Sequence, residues 1–202
     1  MKTTSFEKFA GLCAILTGLV GFLYSVAFII ISRNAPALGG LLSWLLLMLG
    51  GLLSAVALVA LYNRLRETDA AFALLALLLG IVGALGSTIH AGYELANIIH
   101  PPTSPELNLP SEVDPRGLVT FGFAGIALFV VAWLIGRGAQ FPKGLGYLGY
   151  LLAILLVVIY LGRLIVLNAT SPVIVVPALL AGFLVNPIWY IWLGLVLRRG
   201  QR

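Results

Sequence analysis

Six stretches of the chain are each long and apolar enough to cross a bilayer, and this repeated length narrows the available folds more than any other feature. A helix needs about 20 mostly apolar residues to span about 30 Å of hydrocarbon. The stretches run at about 10–31, 38–62, 71–99, 118–135, 145–167 and 173–197. They are too long and too uniformly apolar for barrel strands, which alternate between lipid and lumen. Lipid permits no other spanning form, because every backbone polar group must be satisfied internally. The expected fold class is all-α: an integral membrane bundle of six transmembrane helices, one domain over residues 1–202. Only 9% of residues are charged, against about 25% in a soluble domain, so water cannot be the main solvent. The single cysteine, Cys13, leaves no disulfide framework within the chain.

Sidedness follows from the loop cations, since positive residues accumulate on the cytoplasmic side. With the N-terminus inside, that side holds Lys2, Lys8, Arg64, Arg66, Arg137, Lys143, Arg198, Arg199 and Arg202, and the outer side only Arg33 and Arg116. The expected topology is N-in/C-in. The net charge of +5 marks the ends of apolar runs and forms no basic stripe, so no nucleic-acid partner is expected. The first run reads as a retained span, because its 22 apolar residues exceed the 7–15 of a signal-peptide core.

Small residues mark where helices approach closely. In span one Gly11, Ala14, Gly18, Gly21 and Ser25 form one seam. It suits either packing within the bundle or a membrane-protein partner. Spans two and three carry Gly50-Gly51 with Ser54, and Gly80, Gly83, Gly86 and Ser87.

Polar groups that lipid should reject are the default pointers to function. His90, Glu94 and Asn97 of span three stand at i, i+4 and i+7, with Tyr93 close by on the same side. Span five contributes Tyr160 and Arg163, the one cation inside a run, and span six contributes Asn186-Pro187 near mid-membrane. At about 1.5 Å per residue, Arg163 and His90 lie roughly 30 Å from the cytoplasmic charges and Glu94 roughly 36 Å. If spans three and five are neighbours, Glu94 and Arg163 meet. Two readings stay open: a solvated or structural pair at the outer interface, and an outward-facing polar pocket of His90, Tyr93, Glu94, Asn97, Tyr160, Arg163 and Asn186 that binds a small molecule. The loop from His100 to Gly117 suits a lid or a spacer equally.

Enzyme chemistry has little to stand on. Zinc needs at least three His, Cys or carboxylate ligands, and His90 and Glu94 offer two. The two histidines, His90 and His100, belong to one span and cannot clasp a haem from two helices. No Gly-x-Ser-x-Gly, P-loop or paired-glutamate protease motif occurs. No metal or cofactor is expected.

Tyr62 with Leu61, Leu65 and Arg66, then Phe141-Pro142 with Leu145-Gly146, and Trp189, Trp192-Leu193-Gly194 and Leu197-Arg198, form three landmarks at membrane boundaries. Through them the chain resembles an uncharacterised bacterial family of small six-span membrane proteins, a domain of unknown function. The resemblance implies a bacterial inner-membrane bundle and no particular activity. A second resemblance, mostly topological, is to the substrate-binding components of energy-coupling-factor vitamin transporters. These dock a partner through small residues of the first span, and Ala10 and Ala14 have that spacing here. The expected function is binding or transport of a small molecule through a pocket between spans three and five. The alternative is a non-catalytic accessory or structural subunit of a membrane complex.

Overall fold

Four of the helix starts have a local reason in the sequence. Thr4 and Glu7 make a reciprocal capping box: the Glu7 amide donates to Thr4 Oγ1 at 3.1 Å, and the Thr4 amide to Glu7 Oε2 at 3.0 Å. Asp69 caps the third helix by accepting from the amides of Ala71 and Phe72, both at 3.1 Å. Pro36 and Pro172 occupy first helical turns, where a missing N–H costs nothing. In the computed structural model, which describes residues 4–101, 115–166 and 171–199, these signals open four of the six spans. The six are α1 (Ser5–Asn34), α2 (Pro36–Leu65), α3 (Ala70–Ile99), α4 (Pro115–Arg137), α5 (Lys143–Ile165) and α6 (Pro172–Arg199). No strand occurs among the described residues. The all-α, six-span expectation is met, with boundaries within five residues of those read from the apolar runs.

The spans pack in chain order and close into a ring: α1 on α2, α2 on α3, α3 on α4, α4 on α5, α5 on α6, and α6 back on α1. The last contact is antiparallel, so both described chain ends lie at one end of the bundle, here called the terminal end. Large apolar side chains such as Leu19, Leu78, Ile126, Leu151 and Leu184 are exposed on the outside of the ring, where lipid is their only favourable solvent.

Closure of the ring corrects the partner reading of span one. A methyl group placed on Gly11 would stand 2.8 Å from the carbonyl oxygen of Gly194, and one on Gly18 would stand 2.8 Å from that of Pro187. A Cβ on Gly21 would meet the Asn186 amide at 2.6 Å, and Ser25 fills the corresponding place at Gly182. The seam of Gly11, Ala14, Gly18 and Gly21 is occupied by α6 of the same chain and is not free for another protein. Bare backbone on both faces lets the first and last helices touch, which closes the bundle.

Two spans depart from α geometry. Val26–Ile31 in α1 and Ala181–Val185 in α6 are π-helical. The α6 segment ends just before Asn186-Pro187, where proline supplies no N–H to the preceding turn. The irregularity there takes the form of a widened turn within a continuous span.

Candidate functional site

The interior changes character halfway along its length. At the terminal end it is filled by Leu61, Leu65, Leu134, Ile135, Leu145, Trp189, Leu193 and Leu197, each exposed by 2% or less. The Trp189 indole N–H donates to the Leu145 carbonyl at 3.1 Å, tying α6 to α5. Counted at about 1.5 Å per residue, the largest fully enclosed side chains lie within roughly 15 Å of the terminal end of α6, and the apolar core continues past them through Leu155, Ile159, Ala181 and Val185. Trp189, flanked on its terminal side by Tyr190, which faces Ser54 of α2, marks that limit. Beyond it the largest fully buried side chain among the described residues is Ser43, at 0% exposure.

The far half of the ring also carries aromatic and polar side chains. His90 of α3, 8% exposed, meets the Trp44 indole of α2 edge-on, with ring centres 5.1 Å apart. Trp44 meets Phe28 of α1 at 6.3 Å, and Phe28 stacks on Tyr24 at 5.6 Å. Arg163 of α5 is close enough for its charge to act on the Tyr24 phenol. Tyr24, Trp44, His90 and Arg163 all lie about 30 Å from the terminal end by residue count. One level of the bundle therefore carries an imidazole, an indole, a phenol and a guanidinium, from four different spans.

The expected site residues separate against this layer. His90 and Arg163 belong to it. Asn186 lies nearer the terminal end, its amide against Gly21 of α1. Tyr160 packs its ring on Gly122 of α4, where a Cβ would stand 3.2 Å from the ring carbons. Glu94 and Asn97 lie one and two turns beyond His90 and are partly buried. Tyr93 is 48% exposed and is not enclosed as His90 is. The pocket was expected between neighbouring spans three and five, but α4 stands between α3 and α5 in the ring. A site drawing on both would therefore open into the interior of the ring, because among the described residues α3 and α5 form no substantial interface to hold it. The lid expected from His100 to Gly117 lies, between residues 102 and 114, outside the described residues.

The enclosed cation is not the expected one either. Arg163 is partly exposed, whereas the Arg64 side chain is only 4% exposed and pairs with Glu7 at 2.7 Å. Arg64 also donates to the carbonyls of Leu197 at 3.0 Å and Val196 at 3.4 Å, and its guanidinium lies 5.6 Å from the centre of the Phe141 ring. Those carbonyls belong to the last turn of α6, which has no further helical donors and attracts positive charge. One side chain therefore joins the start of α1, the end of α2 and the end of α6. Beside this knot Thr68 donates to Gln140 at 3.1 Å, and Gln140 donates to Glu67 at 3.4 Å, so the two loops at this end hold each other.

Sequence reasoning counted Arg64 as a loop charge. Its register held the signal: Arg64 lies on the helix face of Ala57, Ala60 and Leu61, all buried. Tyr24 and Trp44 were also missed, although the residue count that levelled His90 with Arg163 places them at the same depth. Among the described residues no group of three or more His, Cys, Asp or Glu side chains stands ready for a metal ion. Comparison with protein-family models, curated proteins and solved structures returned no match.

Proposed function

We propose that this multi-pass protein resides in a bacterial cytoplasmic membrane, with its terminal end inside, and binds a small molecule entering the ring from the outer end. The observation that carries this reading is the layer of Tyr24, Trp44, His90 and Arg163, four polar or aromatic groups from four spans at one depth in the far half of the bundle. A bundle held together only by packing gains nothing from polar groups on four spans at one depth, since each carries a desolvation cost. A bound molecule with an aromatic or apolar body and one acidic group satisfies all four: the rings take its body, and Arg163 takes its charge. Transport, as distinct from binding, requires in addition that the Arg64 knot at the terminal end open.

The test is a thermal-stability screen of the purified protein against aromatic and aliphatic carboxylic acids. A ligand at 100 times its Kd stabilises the native state by about 2.7 kcal/mol. Arg163→Gln and Trp44→Leu should each abolish that shift while leaving the unliganded melting temperature close to wild type. If an acid stabilises the protein and both variants keep the full shift, binding lies elsewhere and this layer is scaffolding.

A further inference from the structure

We infer that the outer surface of the bundle holds a site for an anionic phospholipid, in a groove across α3, α4 and α5 near the terminal end. The groove is a shallow, open depression of about 300 Å³ lined by Phe72, Phe129, Val130, Trp133 and Tyr150. Phe72 and Trp133 lie with ring centres 4.8 Å apart, and Phe129 and Tyr150 6.0 Å apart. On α4, Phe129 and Trp133 occupy the face opposite buried Val131, Leu134 and Ile135, so the groove faces the bilayer and not the interior of the ring. Hydrocarbon is the medium there, and a dent of this size between aromatic walls suits the first part of an acyl chain.

Charge decides which lipid. Arg137, exposed and one turn beyond Trp133, holds its guanidinium 4.6 Å from the centre of that ring. The indole face fixes the guanidinium at the mouth of the groove while its N–H edge stays available to a phosphate. From Arg137 to Phe129 is about 12 Å at 1.5 Å per residue, which runs from headgroup level into the acyl region. Arg66 and Lys143 stand at the same end of the bundle and reinforce the attraction for a net negative headgroup over a zwitterionic one. Phosphate chemistry is shared by a lipid headgroup and by free phosphate, so the experiment separates them.

The full chain is reconstituted into phosphatidylcholine vesicles doped with either brominated phosphatidylglycerol or brominated phosphatidylcholine. The quenching attributable to Trp133 is read as the difference between wild type and Trp133→Phe. Half-quenching should need about fivefold less brominated phosphatidylglycerol than brominated phosphatidylcholine, the factor expected of one basic side chain near an anionic headgroup. Arg137→Gln should remove that preference, Arg137→Lys should keep most of it, and added inorganic phosphate should leave it unchanged. Equal quenching by the two lipids, or a preference that survives Arg137→Gln, overturns the site. Relief of quenching by phosphate alone also overturns it, because the groove then adds nothing to Arg137. Protection from both lipids overturns it as well, because a second copy of the chain then covers the groove. Should Trp133→Phe not fold, total fluorescence of wild type against Arg137→Gln reads the same preference.

Discussion

Arg64 illustrates how a single side chain can close a helical ring. Its charge is compensated three ways, by the Glu7 carboxylate and two orphan carbonyls at the end of α6. Removing a buried charge leaves its partner uncompensated at a cost of about 3–5 kcal/mol, whereas replacing both partners with apolar groups can be nearly neutral. Glu7→Leu, which strands the enclosed guanidinium, should therefore lower the unfolding free energy in detergent by about 3–5 kcal/mol, and Arg64→Met, which strands the partly exposed Glu7 carboxylate, by less. Glu7→Leu combined with Arg64→Met should recover much of the loss. Single variants as stable as wild type would mean that Arg64 is solvated and that the ring closes without it. The guanidinium cannot be replaced by an ammonium at equal value, because it bonds the carboxylate and two carbonyls from one planar fork.

At the scale of elements, the bundle depends on how closely helix backbones approach. Glycine on both faces of the α1–α6 contact brings carbonyl oxygens within reach of the opposite chain, and such contacts supply the packing that lipid-solvated helices need. Gly194 and Gly50 test this from opposite sides. A Cβ at Gly194 would meet Ile15 Cγ1 at 2.7 Å and the Ile15 amide nitrogen at 2.9 Å, whereas one at Gly50 would meet Val20 Cγ1 at an ordinary 3.6 Å. Gly194→Ala should destabilise by about 1–3 kcal/mol through overpacking. Gly50→Ala should be neutral or stabilising by up to about 1 kcal/mol through helix propensity. Thermal melts of the two variants side by side check the contrast, and equal melting temperatures would mean that α1 and α6 have room to separate.

For the whole molecule, the parity of six spans places both described chain ends at one end of the bundle, and the proposed orientation, with that end inside, rests on the loop cations. On a Cys13→Ala background, a cysteine at Ser171 should react with an impermeant reagent applied to intact cells, and one at Thr68 should react only after permeabilisation. The reverse pattern would invert the bundle and make the polar layer face inward. The proposed small-molecule site and the lipid groove lie on different surfaces, one inside the ring in its far half and one outside it near the terminal end. Variants at Arg163 and Arg137 should therefore act independently.

Span number, span length and the depth of each residue were legible in the sequence, because hydrocarbon thickness is a local constraint that each run of about 20 residues must meet by itself. That is why 71–99 became Ala70–Ile99 and 38–62 became Pro36–Leu65 with little change. The same residue count gives His90 and Arg163 one depth. Direction around each helix axis was not legible, because it depends on which helices become neighbours. Only the tertiary structure placed α4 between α3 and α5 and brought Arg163 near enough for its charge to act on Tyr24. It also spent the Gly11–Gly21 seam on α6, and drew Arg64, read as a loop charge, into contact with Glu7 and the end of α6. A bilayer sorts residues by depth through their contact with lipid, while the order of helices around a ring is decided by close packing between residues far apart in the chain.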